Sequence, residues 1–99
     1  MAFVKTEAIE WVEAVGDYVQ LHATDQKPLL RKTTKEMEEA PSKPFLRLYR
    51  STLVNVDCLQ EMRSYGSNGE YTAILEDGTK RKLSRTYRDK VDAFFDGAL

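Results

Sequence analysis

The chain has 99 residues, a net charge of -1, 41% apolar side chains and no apolar run near the roughly 20 residues that a membrane helix requires. One cysteine, Cys58, excludes an intrachain disulfide, and one cysteine with one histidine, His22, is too few for an ordinary zinc site, so no metal or other cofactor is expected. The near-zero charge argues against a bulk polyanion binder. The free cysteine and the opening Met1-Ala2-Phe3-Val4-Lys5, which lacks signal-peptide architecture, lead us to expect one cytoplasmic domain over residues 1–99.

Ile9–Ala14 is short and rich in strand formers, and Gly16-Asp17 reads as a turn. Tyr18–Ala23 then alternates, with Val19, Leu21 and Ala23 on one face and Tyr18, Gln20 and His22 on the other, so the two segments predict a β-hairpin. Asp25–Lys27 is a second turn and Pro28–Lys32 a third extended segment. Thr33 and Glu36 have capping-box spacing ahead of Met37-Glu38-Glu39-Ala40, a helix-favouring run that Pro41 and Pro44 end. That predicts a short helix near residues 34–40.

Phe45–Tyr49 and Thr52–Val56 are strand-like, with Arg50-Ser51 between them. Leu59 and Met62 suggest another strand, and Ser64–Gly69 a polar turn. Glu70–Leu75 alternates and meets Asp77-Gly78, a strong hairpin sequence, with Thr79–Leu83 as the return strand. Ser84 can cap a final helix in which Tyr87, Val91, Phe94 and Phe95 recur at helical spacing, with Gly97 as a stop. Many short strands, frequent turns and two short helices predict a mainly β fold of antiparallel sheets, with Trp11 and Phe45 in the core.

The sequence makes no positive case for catalysis. Gly16, Gly66 and Gly69 stand in the wrong contexts for a phosphate loop, and no Ser/His/Asp arrangement stands out. His22 reads as a partly exposed strand residue and Cys58 as a small buried apolar one. Charge distribution says more than its sum. Residues 1–42 carry five basic and eight acidic side chains, whereas residues 43–99 carry ten and eight. Between Gly78 and Lys90 lie Lys80, Arg81, Lys82, Arg85, Arg88 and Lys90 against only Asp89. Such a stretch is either a solvated strand edge or a phosphate-binding surface. Arg50, Arg85 and Tyr18 lie at strand ends, where recognition groups usually project, although each also reads as an ordinary exposed side chain or, for the arginines, a partner of Asp57 or Asp89.

Taken together, several blocks resemble the LytTR DNA-binding domain family. Ile9–Val19 is similar to its opening hairpin, in which an apolar strand leads through Glu-Ala to Gly-Asn/Asp-Tyr-Val. Phe45–Asn55 resembles its most distinctive stretch, and Gly69-Glu70-Tyr71, Leu75, Asp77-Gly78 and Ser84-Arg85-Thr86-Tyr87 resemble its closing half, in the family's order and spacing from Phe3 to Val91. The resemblance implies a small elongated domain of several short antiparallel sheets with one or two short helices. It implies sequence-specific binding of double-stranded DNA for transcription regulation in bacteria, as the output half of a two-component response regulator. It also implies that turns, rather than a recognition helix, enter the major groove.

By the same resemblance Arg50, Arg85, Tyr18 and Asp17 are assigned to base edges, and Tyr49, Ser51, Lys82 and Arg88 to phosphate or supporting contacts. Tyr49 stands where the family usually has His, and Ala40 where a Leu commonly precedes the proline. Family members often carry a further strand and a receiver domain ahead of the part matched here. A receiver would pair two copies on adjacent DNA repeats, while the isolated domain would be monomeric and bind weakly. The competing reading is a protein-interaction or ligand-sensing β module with a basic face, and a small enzyme ranks below it. DNA reading requires Arg50, Arg85 and Tyr18 on one side with Arg88 and Lys82 nearby. An interaction module would present an apolar patch there instead.

Overall fold

The computed structural model describes residues 6–40, 45–65, 70–97 and 99. Among them the elements run β1 (Ile9–Val15), β2 (Tyr18–Ala23), β3 (Leu29–Leu30), α1 (Thr34–Glu39), β4 (Phe45–Tyr49), β5 (Thr52–Asn55), β6 (Leu59–Tyr65), β7 (Glu70–Leu75), β8 (Lys80–Leu83) and α2 (Arg85–Phe94). Short 3-10 turns, Thr6–Ala8 and Val56–Cys58, lead into β1 and β6. The strands pair antiparallel in a five-stranded sheet, β3-β2-β1-β5-β4, and a three-stranded sheet, β6-β7-β8.

The period-two alternation of β1, β4 and β5 buries both faces of the larger sheet. On one face Val12 sits opposite both Leu21 and Leu53 and packs with Ile9, Val19, Phe45 and Met37 of α1. On the other, Trp11 and Leu46 both pair with Val54 and pack with Leu48 against Ala73, Leu75 and Leu83 of the smaller sheet and Val91 of α2. The layers are therefore α1, the five-stranded sheet, and the three-stranded sheet with α2, in a body measuring 47 × 24 × 23 Å. Trp11 and Phe45 are core residues, each 5% exposed.

Local chemistry fixes the element ends. Gly16 takes a left-handed φ of 58°, which the two-residue β1–β2 turn requires and a Cβ would strain. The capping box is formed: the Glu36 N–H donates to Thr33 Oγ1 and the Thr33 N–H to Glu36 Oε1, each at 3.0 Å. Asn55 is fully buried, donates to the Ile9 carbonyl at 2.9 Å and accepts from the Asp57 N–H at 3.0 Å. That second bond turns the chain, so β5 stops before Val56, one residue short of the sequence expectation. Asp77 acts similarly: its Oδ1 accepts the Thr79 N–H at 2.9 Å, and β8 starts at Lys80 rather than Thr79.

Other boundaries also move. β3 takes only Leu29–Leu30 from the expected Pro28–Lys32, and β6 runs on through Ser64 and Tyr65, which the sequence placed in a turn. Residues 66–69, with the expected Pro41 and Pro44 stops and Phe3–Lys5, lie outside the described residues. Cys58 is half-buried at the end of its 3-10 turn rather than buried as a small apolar group, and its Sγ lies 4.0 Å from the Ile9 carbonyl. Burial and the carboxylates around it push its thiol pKa up.

One contact ties the sheets through polar groups. The Glu10 carboxyl in β1 shares a hydrogen bond with Asp77 in the β7–β8 turn. That bond, then desolvation and the charges of Asp77 and Glu76, push Glu10 up to about 7. The same bond holds Asp77 below its ordinary value.

Candidate nucleic-acid interface

The strand registers bring three turns to one end of the molecule. Val15 of β1 faces Tyr18 across the Gly16-Asp17 turn, and Glu13, near the same end of β1, faces Thr52 at the start of β5. The Arg50-Ser51 turn that precedes Thr52 therefore lies beside the β1–β2 turn, and the Ala14 N–H donates to the Ser51 carbonyl at 2.8 Å. The Ser84 N–H donates to the Leu48 carbonyl, also at 2.8 Å, which fastens the start of α2 to the end of β4.

Arg47 organises this end. Its guanidinium donates to the Arg50 carbonyl at 2.6 Å, the Thr34 hydroxyl at 3.0 Å and the Glu38 carboxylate at 3.2 Å, and lies 5.7 Å from the Tyr87 ring. Sequence reasoning did not give Arg47 a role. The available signal was a charged residue between Leu46 and Leu48, in a strand that is otherwise core up to Tyr49.

The expected site residues other than Ser51 line three clefts, two of them continuous. Tyr49, Lys82, Ser84, Arg85 and Arg88 line one of about 400 Å³, together with Tyr71. Tyr49 and Ser84 also line a shallower cleft with Arg50 and Thr86, so the two are continuous. Ser51 is half-buried in the adjoining turn. Asp17 and Tyr18 line a separate cleft at the same end, with Arg31, Lys32 and Thr33. Arg31 and Lys32 were missed because they looked like the tail of an extended segment. β3 ends at Leu30, however, and sets them free beside the α1 cap.

The electrostatics of this end favour an anion. The first turn of α2, Arg85-Thr86-Tyr87-Arg88, holds two arginines and no acid, although acids there would suit the positive end of the helix dipole. Arg50 and Arg85 are exposed, and Arg88 lies 5.1 Å from the Tyr71 ring. Three acids elsewhere are engaged, Glu38 with Arg47 and Lys90, Glu61 with Arg63 and Glu13 with His22, while Glu70 lines the cleft of Arg85 and Arg88 itself. Arg50, Arg85 and Arg88 take part in none of these pairs. The end is not purely basic, since Tyr18, Tyr49, Tyr65 and Val15 are all more than 40% exposed, and Leu29 and Leu30 are open on the edge strand.

His22 lies apart from this end. Its Nε2 is 3.0 Å from Glu13 Oε1, and its ring stacks on Trp11 at 3.7 Å. Arg81 covers the same indole at 3.9 Å. Among the described residues no group of three or more His, Cys, Asp or Glu side chains is placed to hold a metal ion, and no helix is long and apolar enough to cross a membrane.

Comparison with known proteins gives a consistent result. A family model described as the LytTr DNA-binding domain matches residues 1–96. The sensory transduction protein LytT of Bacillus subtilis (strain 168) is 28% identical over 88 residues, which cover 88% of this chain and 36% of that protein. The chain thus spans about a third of the length of that relative. Among solved structures, the LytTr DNA-binding domain of a putative methyl-accepting/DNA response regulator from Bacillus cereus shares the fold with a TM-score of 0.80. It is 17% identical, with 93% of this chain and 84% of that one covered.

Proposed function

The chain belongs to the LytTR DNA-binding domain family, and from that premise we propose that its three clustered turns read a duplex through the major groove. The observation that carries the proposal is the gathering of the Asp17-Tyr18, Arg50-Ser51 and Ser84-Arg85 turns at one end, beside a helix start holding two arginines outside the ion pairs found among the described residues. Phosphate contacts position a protein on DNA and base contacts specify the sequence. Arg50 and Arg85, exposed at the tips, suit the guanine edge, which arginine meets with two hydrogen bonds. Tyr18 and Asp17 serve the third turn. Arg88, Lys82, Tyr49 and Ser51, set around them, suit the backbone, and Arg31 and Lys32 join that set at the Tyr18 corner. The same basis supports transcription regulation as the biological role, with a receiver domain elsewhere in the full-length protein and two copies on adjacent repeats.

The test is selection of bound sequences from a random duplex library, with wild type and Arg85→Ala in parallel. Enrichment of short repeats that the variant loses or blurs is the expected result. No enriched motif at low salt would overturn it. That outcome would favour protein docking, the reading suggested by exposed Val15, Leu29 and Leu30 beside the Tyr18 corner.

A further inference from the structure

We infer that β6 is a self-complementary edge through which two copies of this chain pair. The other sheet edges are short or engaged: β3 has two residues and β8 four, and the end of β4 is joined to the start of α2 by the Ser84–Leu48 bond. β6 has seven residues, and among the described residues it pairs with β7 alone. An open edge of that length presents unpaired backbone donors and acceptors to any other strand. Edges are commonly protected by charges of one sign, which repel a second copy. β6 instead carries Glu61 and Arg63 two positions apart, on the same face, exposed and paired with each other at 2.6 Å.

That spacing selects one partner and one register. If two β6 strands pair antiparallel about a two-fold axis at Met62, Glu61 of each copy falls directly opposite Arg63 of the other. Moving the axis to Glu61 or to Arg63 puts like charges directly opposite, which is unfavourable. An axis normal to the sheet keeps the inner faces on one side, so the half-buried Met62 residues meet each other. Because residues 64 and 65 of each copy face residues 60 and 59 of the other, the register irregularity between Leu59 and Glu61 confines regular pairing to Glu61–Arg63, so the association is weak. The pairing also has a direction. β6 finishes at Tyr65, in the cleft that holds Arg85 and Arg88. Antiparallel pairing points these ends in opposite directions. If the proposed DNA reading holds, a β6-linked pair would therefore grip two separate duplex segments rather than two adjacent repeats; the pairing itself does not rest on that reading.

The experiment is sedimentation of the 99-residue chain without DNA, up to millimolar concentration, for wild type, Glu61→Arg, Arg63→Glu and an equimolar mixture of the two variants. Circular dichroism establishes that each variant is folded. Wild type should self-associate, and each reversal, which sets like charges opposite, should weaken association at least tenfold. The mixture should associate again, because one copy then carries two arginines and the other two glutamates at the facing positions. A wild type that stays monomeric, variants that associate as wild type does, or a mixture that stays as weak as its components would each overturn the proposal. Because no DNA is present, none of these results bears on the DNA reading.

Discussion

Truncate Arg47 and three hydrogen bonds go at once, to Arg50, Thr34 and Glu38. Arg47→Ala should lower stability by about 1–3 kcal/mol in denaturant titration, since among the described residues the half-buried Glu38 carboxylate keeps only the exposed Lys90 as an ion-pair partner. Arg47→Lys should recover only part of that, because an ammonium cannot reproduce the fork. At the proposed interface, Arg50→Ala or Arg85→Ala should cost about 1–3 kcal/mol of specific binding and relax preference at one base position. Arg88→Ala should weaken all sequences alike and reduce the slope of log affinity against log salt by about one. Equal behaviour of the two kinds of variant would remove the division between base and phosphate roles. Arg50 and Arg85 could be found from sequence because they fall beside turn chemistry. Arg47 could not, since its partners Thr34 and Glu38 come from a helix whose position against β4 is a tertiary fact.

The helices report how local rules and placement share the outcome. Thr33→Ala removes a formed capping box and should cost about 1 kcal/mol. Arg85→Glu should do the opposite at the start of α2, raising stability by about 0.3–1 kcal/mol through the helix dipole while abolishing DNA binding. A variant that gains melting temperature and loses affinity would mark this turn as kept for an anion. Both helices, the Gly16-Asp17 hairpin and the Asp77-Gly78 turn were legible because caps and turns are written within a few residues. β6 was underestimated because only Leu59 and Met62 face the core, and the polar residues between them resemble a turn when their pairing with β7 is unknown. β3 was overestimated for the converse reason: Pro28–Lys32 has extended character, but β2 pairs with only two of its residues.

For the molecule as a whole, the Glu10–Asp77 contact makes the joint between the sheets sensitive to pH. Glu10 titrates near 7 in the fold against 4.5 as an ordinary carboxyl, so the folded state holds the extra proton between those values. Stability from this group is full below about 4.5, falls as pH rises to about 7, and then levels off. Asp77, lowered, contributes in the other sense: its share is lost as pH falls through its folded value. Glu10→Gln keeps a donor for Asp77 without a charge. Its melting temperature should change less than that of wild type between pH 4.5 and 7 and exceed it above pH 7; parallel profiles would refute the assignment. The apolar alternation of the strands was legible, but burial of the five-stranded sheet on both faces, and which sheet covers which face, was not, since both depend on contacts far apart in sequence. The layered packing has one further consequence. Asp17, Tyr18, Tyr49, Arg50 and Arg85 belong to neither hydrophobic cluster. Descendants of such a chain can therefore exchange those residues without repacking the core, wandering from one target to another over evolutionary time.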